Sequence, residues 1–234
     1  MKLLDDWLVL EEVGSTQAEA ERLLQAGRPV GIVFAHHQTE GHGKFDRPWH
    51  SARGESLTMS MVFEDYADHP RPWLVGMAVA AAAAGAVHSQ LQWPNDLTID
   101  GKKLGGILTQ LFQSADGKSV PVVGVGINLN LAEFPSEIQS TATSLFLERG
   151  HQFDPQEVAR HMVQRVRQMP EPESWSDLAP IWALFDDTRG KKYVTSTGLE
   201  LVAIGTGPQG ELIGSHRGET VTVLAADALF GEGA

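Results

Sequence analysis

Four short segments carry the residues that can do chemistry. The longest runs from Gln38 through Thr39, Glu40, Gly41, His42, Gly43, Lys44, Phe45, Asp46, Arg47 and Pro48 to Trp49. Its glycines let backbone approach a ligand closely. His42, Lys44 and Arg47 add donors suited to carboxylate or phosphate, and Trp49 closes the segment with an aromatic ring. A loop of this kind can fold over an anionic ligand and exclude water, but the same composition describes an ordinary glycine-rich surface loop. The second segment joins Trp93-Pro94-Asn95-Asp96-Leu97 to Lys102-Lys103-Leu104-Gly105-Gly106-Ile107-Leu108. The proline places Asn95 and Asp96 at a bend between strands. Asp96 can hold Mg²⁺ through oxygen, and Asn95 can bond the ion or a phosphate. Lys103 begins a β-type run that would hold it rigidly, while Gly105 and Gly106 leave room for a flat ligand. Read singly, these pieces are also a turn and a solvated hairpin flank.

The third segment is Gly124-Val125-Gly126-Ile127-Asn128-Leu129-Asn130. Glycines inside a strand signal close approach of backbone or ligand. No third glycine opens a helix, so this is not a dinucleotide fingerprint, and no phosphate-binding loop of the Walker type is present. The fourth is Gly14-Ser15-Thr16-Gln17, whose hydroxyls either cap a helix or bind a polar ligand head. His36, His37, His42 and His50 cluster without the spacing of a metal site. Trp73, Trp175 and Trp182 read as packing residues.

The elements that must position these segments follow from periodicity. Residues 7–13 alternate as a strand. Thr16 with Glu19 predicts a capping box for a helix that Gly27 ends. Residues 30–35 and 56–63 read as strands around a long aperiodic stretch, 36–55. A helix is expected over about 72–88. Asp100-Gly101 and Asp116-Gly117 predict tight turns among strands in 91–128. Asp154 and Pro155 open a further helix, and another is expected over 176–185. After about residue 187 short strands alternate with glycine-containing turns, as in a small β-barrel.

Bulk properties narrow the function. With 234 residues and 42% hydrophobic composition the chain is globular, and without cysteine it has no disulfide, thiolate metal site or cysteine nucleophile. Eighteen Lys and Arg against 30 acids give a net charge of −12, which disfavours a general grip on nucleic acid. Acids at 5, 6, 11 and 12 break any signal-peptide core. The longest apolar stretch, Leu74 to Val87, is too short to span a bilayer. A soluble cytoplasmic protein is expected.

Taken in order, the four motifs resemble those of the biotin protein ligases: an early Ser-Thr pair, a Gly-Arg-Gly-Arg loop ending in Trp, then Trp-Pro-Asn-Asp, Lys-Leu-x-Gly-Ile-Leu and Gly-x-Gly-Ile-Asn. The resemblance covers nearly the whole chain, and its combination is far more specific than any one piece. It implies an α+β fold, a mixed β-sheet with helices of the class II synthetase-like kind over 1–187, and an SH3-like barrel over 188–234. It implies the short form of the family, without an amino-terminal DNA-binding domain. ATP and biotin are the implied substrates, with Mg²⁺. The implied partner is a biotin carboxyl carrier protein, and the protein is a monomer or homodimer.

By the same resemblance, Ser15, Thr16 and Gln38 bond the ureido head of biotin, and Gly41, His42 and the following loop order over it. Gly106 borders the biotin. Lys103 contacts the biotin carboxylate and the α-phosphate. Arg47 and Lys44 assist it in catalysis. Asn95 and Asp96 lie near phosphate and metal, Trp49 packs on the nucleotide side, and Asn128 holds adenine. Lipoate ligation and non-catalytic binding are the alternative activities. Two departures stand out. His42-Gly43-Lys44 replaces the usual Arg-Gly-Arg, which loses the bidentate fork. Gln17 replaces the usual Asn.

Overall fold

A computed structural model describes residues 1–44, 48–49, 52–195 and 197–230. Strand β1 (Trp7–Leu10), helix α1 (Thr16–Gln25) and strand β2 (Ile32–Ala35) form a parallel crossover unit. The helix does not start as expected. Its N-cap is Ser15, whose side chain caps no amide, and Glu19 is engaged by Arg22. The capping box expected of Thr16 and Glu19 is therefore absent, because the Thr16 hydroxyl is drawn toward the sheet. Gly27 follows the last turn at φ +64°, as a helix-ending glycine does.

Strands β3 (Ser56–Val62), β4 (Gln90–Gln92), β5 (Asp96–Ile99), β6 (Lys102–Gln113) and β7 (Ser119–Asn128) complete a seven-stranded sheet of order β1-β2-β3-β7-β6-β5-β4. Only the β1–β2 pairing is parallel. The Asp100-Gly101 turn has φ of +49° and +77°, the primed geometry that joins antiparallel strands tightly.

The two sheet faces have different cover. Helix α2 (Trp73–Val87) packs on one, with Phe34, Leu57, Met59, Met61, Val123, Val125 and Ile127 in its core. Its alanines permit close approach, and α4 (Pro155–Gln168) and α5 (Trp175–Trp182) bury its outer side. Helix α1 covers part of the other face over Val33, Val62 and Val122. Strand β3 alternates polar and apolar as read from its sequence, yet all seven residues are buried. Its polar set, Ser56, Thr58 and Ser60, faces a covered side, not solvent.

Helix α4 starts as expected, with Asp154 accepting from the N–H groups of Gln156 and Glu157. A short helix α3 (Leu145–Arg149), capped by Ser144, was not foreseen. The chain ends in an antiparallel sheet, β11-β10-β9-β8, built from β8 (Lys192–Val194), β9 (Glu200–Thr206), β10 (Leu212–His216) and β11 (Glu219–Val223), followed by α6 (Ala225–Phe230). This is the form of a small SH3-like module. Leu201, Ala203 and Leu212 join the α2 core, and the Trp93 indole N–H donates to the Gly210 carbonyl at 2.9 Å. Trp175 and Trp182 are buried in that core, as read from sequence.

Candidate active site

The face that α1 leaves uncovered holds a cleft of about 190 Å³. Its floor is glycine. Gly106 and Gly126 are paired across β6 and β7, and Gly124 lies two residues away on the same face. A Cβ added at each would meet a different neighbour: Trp49 ring atoms at 2.6–3.1 Å for Gly126, the Gln17 amide at 2.9–3.0 Å for Gly124, and the Lys103–Asp96 pair at 3.6–3.7 Å for Gly106. Gly105 does not share this role. It points to the opposite face, where a Cβ would overlap the Gly126 carbonyl oxygen and crowd Ile127. The expectation that both glycines make room for a ligand is corrected to Gly106 alone.

At one end of the cleft stands a polar group fixed by α1. The Thr16 N–H and Oγ1 both donate to Gln38 Oε1, at 2.7 and 2.9 Å. That spends the only proton of the Thr16 hydroxyl, so Ser60 Oγ is the donor in its 2.8 Å contact with Thr16 Oγ1. Ser15 lines the same end. Gln17, also buried, reaches under the helix to β6 and β7, where its Nε2 donates to the carbonyls of Leu108 and Val122 at 3.1 and 3.4 Å.

Toward the other end Lys103 Nζ donates to Asp96 Oδ1 at 2.6 Å. The lysine side chain is 47% exposed and borders the cleft, so the pair is open to a ligand. A β-bulge puts it there. Asp96 pairs with Gly106 and Leu97 with Gly105, but Thr98 pairs with Lys103. The extra residue, Leu104, turns into the core and Lys103 turns onto the cleft face. Its backbone is held on a second side: Lys103 N–H donates to the Thr141 carbonyl at 2.7 Å, and Thr143 N–H to the Lys103 carbonyl at 2.9 Å. Asn95 Nδ2 donates to the Ile107 carbonyl at 2.5 Å, which fixes the turn before β5.

The loop from Gly41 closes back on itself. Trp49 N–H donates to the Gly41 carbonyl at 2.8 Å, and His42 bridges Pro48. His42, Gly43, Lys44 and Trp49 all border the cleft. The Trp49 indole N–H is buried without a partner among the described residues. Arg47 lies outside the described residues.

Thus Ser15, Thr16, Gln38, His42, Lys44, Trp49, Asn95, Asp96, Lys103 and Gly106 are brought together at one cleft. Gly41 stands just behind it, against Gln38. Asn128 does not line it. Asn128 is buried next door, and its Nδ2 donates to the Thr143 carbonyl at 3.0 Å. Ser60 and the 141–143 segment escaped the sequence reading. The polar period of β3 was the signal for Ser60, whereas the pairing of 141–143 with Lys103 is non-local and left none.

Burial pushes the nearby Tyr193 phenol far above its ordinary value, and the charges of Asp96 and Asp186 push the same way. Tyr193 is therefore a neutral neighbour of the Asp96 region. Among the described residues no three His, Cys, Asp or Glu side chains are grouped to hold a metal ion.

A mixed sheet with this strand order, a glycine-floored cleft and a small antiparallel module after it defines the α+β fold of biotin protein ligase catalytic domains. The biotin protein ligase of Aquifex aeolicus, solved in complex with biotin and ATP, superposes with a TM-score of 0.77 at 25% identity over 98% of this chain and 97% of that one. The Biotin/lipoate A/B protein ligase family model matches residues 11–128, half of the chain, and the chain belongs to that family. The bifunctional ligase/repressor BirA of Bacillus spizizenii is 34% identical over 172 residues, covering 69% of this chain and 53% of the relative. The biotin–[acetyl-CoA-carboxylase] ligase of Mycobacterium tuberculosis is 30% identical over 149 residues, 58% of this chain and 53% of that protein. The chain spans about half the length of these relatives.

Proposed function

We propose that the protein is a biotin protein ligase that forms biotinyl-5′-AMP and passes the biotinyl group to a lysine of a biotin carboxyl carrier protein. One observation carries this reading. A fixed polar end and a lysine–aspartate pair share one cleft, separated by a floor of three glycines. A flat acid with a polar ring fits that layout, its ring at Thr16 and Gln38 and its carboxylate at Lys103. The cleft is smaller than the roughly 300–1,000 Å³ of pockets for drug-sized ligands. The acid fills it, and the nucleotide extends past Asn95 and Asp96.

In the first half-reaction a carboxylate oxygen attacks the α-phosphorus and pyrophosphate leaves. The two reactants are anions and repel one another. The Lys103 ammonium lies where both negative charges meet, and Lys44 borders the same space, with Arg47 assigned to assist. In the second half-reaction the carrier amine attacks the acyl carbon, AMP leaves, and the amine loses a proton. Neither step needs a covalent enzyme intermediate.

Asp96 supplies one carboxylate and Asn95 one amide. This sparse donor set fits a Mg²⁺ ion held mainly by polyphosphate, which the ion would screen from the incoming carboxylate. Asn128 spends its Nδ2 on Thr143 and keeps Oδ1 as an acceptor for the adenine amino group. We place a boundary near residue 187, with 188–234 as a module that seats the Trp93 turn. A cytoplasmic location follows from the need for ATP, and either a monomer or a homodimer satisfies the site. The charge of −12 argues against nucleic acid as a partner. Among the described residues no helix is long and apolar enough to cross a membrane.

ATP–pyrophosphate exchange tests the reading. Exchange should depend on biotin and not on lipoate, whose dithiolane has no use for the Thr16–Gln38 end. A mass increase of one biotinyl group on a carrier fragment should follow. Lipoate-dependent exchange would assign the chain to the other branch of its family, and binding of biotin without exchange would make it a non-catalytic module.

A further inference from the structure

We propose that Gln17 is a substrate-binding, specificity-determining residue whose side-chain oxygen accepts an N–H of the cyclic urea. The inference rests on the biotin reading above and deepens it. The two glutamines of the cleft are locked in opposite senses by neighbours that leave no choice of orientation. A backbone N–H can only donate, so the Gln38 atom that meets Thr16 N at 2.7 Å is its oxygen. Its nitrogen is left as a donor, beside Gly41. A backbone carbonyl can only accept, so the Gln17 atom that meets Leu108 and Val122 is its nitrogen. That nitrogen has two protons and two carbonyls, and it is fully used.

The Gln17 oxygen has no partner among the described residues, although the residue is only 5% exposed and lines the cleft. The oxygen is not itself buried away from solvent, so it meets the cleft as an acceptor that a ligand's N–H can take over from water. The polar end therefore offers one fixed donor and one fixed acceptor. A cyclic urea carries the matching carbonyl and N–H, and a dithiolane carries neither. Gly124 makes the arrangement possible, since any side chain there would collide with the Gln17 amide at 2.9 Å.

The test is a cycle between ligand and residue, read by isothermal titration of the full chain. The ligands are biotin and biotin methylated at one or the other ureido nitrogen. The proteins are wild type and Gln17→Met. One methylated biotin should bind wild type on the order of tenfold more weakly than biotin, the cost of losing one hydrogen bond to the cleft wall. Gln17→Met should bind biotin about as weakly as wild type binds that analogue, and should no longer tell the two apart. A purely structural role would weaken both ligands equally and preserve the discrimination, which overturns the proposal. Wild type binding both analogues as tightly as biotin overturns it without any variant, so a misfolded Gln17→Met does not protect it. Failure of wild type to bind biotin at all would instead sink the underlying ligase reading.

Discussion

Replacing Gly126 with alanine separates the shape of the cleft from the packing of the sheet. The new Cβ would lie 2.6 and 2.8 Å from Cε2 and Cζ2 of the Trp49 indole, so one of the two must move. The strand cannot, because Gly126 is paired with Thr58 on one side and Gly106 on the other. The indole is the part that can give, because it is a half-buried side chain whose N–H has no partner among the described residues. Overpacking costs about 1–3 kcal/mol, and a displaceable, half-buried ring puts Gly126→Ala at the low end. At about 2–4 °C per kcal/mol for a chain of this size, the melting temperature should fall by only about 2–4 °C.

The cleft should suffer more. An added methyl and a displaced ring in about 190 Å³ leave less room for a bicyclic acid. The biotin concentration at half-maximal exchange should rise at least about tenfold, or ~1.4 kcal/mol. Gly105→Ala is the control with the opposite signature. Its Cβ would overlap a backbone carbonyl, where no side chain can swing away, so it should cost more than about 3 kcal/mol and melt at least about 6 °C lower. Thermal melts and biotin titrations of pyrophosphate exchange on both variants decide the matter. If Gly126→Ala melted as low as Gly105→Ala and kept the wild-type biotin dependence, the assignment of floor and core faces would be wrong.

Three further outcomes are expected. Lys103→Ala should lower biotin-dependent pyrophosphate exchange about 10²–10³-fold, the usual cost of losing one charge-stabilising group, while the half-exposed ion pair with Asp96 contributes at most about 1 kcal/mol to folding; near-normal exchange would reject its role. His42→Arg with Lys44→Arg restores the bidentate fork and should slow release of biotinyl-AMP, as read by trapping free adenylate with hydroxylamine; equal release rates would show that the fork is immaterial here. Asp177 accepts from the Ser174 N–H and hydroxyl, which holds its carboxyl below the ordinary 3.8. A depressed carboxyl stabilises the fold above its unfolded value and loses that contribution as pH falls through the folded one. Melts of Asp177→Asn against wild type below pH 4 should therefore show a shallower acid limb for the variant, and parallel limbs would refute the linkage.

The local signals read most faithfully are those whose cause is local. Asp154 and Pro155 announced α4 because a carboxylate cap and a fixed proline φ act within one turn. Asp100-Gly101 announced its hairpin because only certain residues accept two positive φ values in a row. The helix over 73–87 was legible from its alanine run, and the strands around it from their alternation. The capping box at Thr16 failed because tertiary contact outweighed local preference. Gln38, 22 residues away, satisfied the Thr16 amide and took its hydroxyl as well. Helix α3 and the 141–143 strap gave too little periodicity to read.

The site itself was legible as a set of residue types but not as a geometry, and β6 shows why. On a regular strand Lys103 falls on the same face as Gly105, the core face, and an ammonium there would be buried against α2. A face assignment by parity from the sequence would have removed it from the cleft. One unpaired residue reverses the parity. Leu104 fits the core because it is apolar, and burying it while keeping Lys103 solvated favours the bulge over the regular register. The 141–143 segment then bonds the Lys103 backbone on its outer side and fixes the result. The position of Lys103 at the cleft is thus set by a leucine buried in the core and by a segment that begins at Thr141, 38 residues further along the chain.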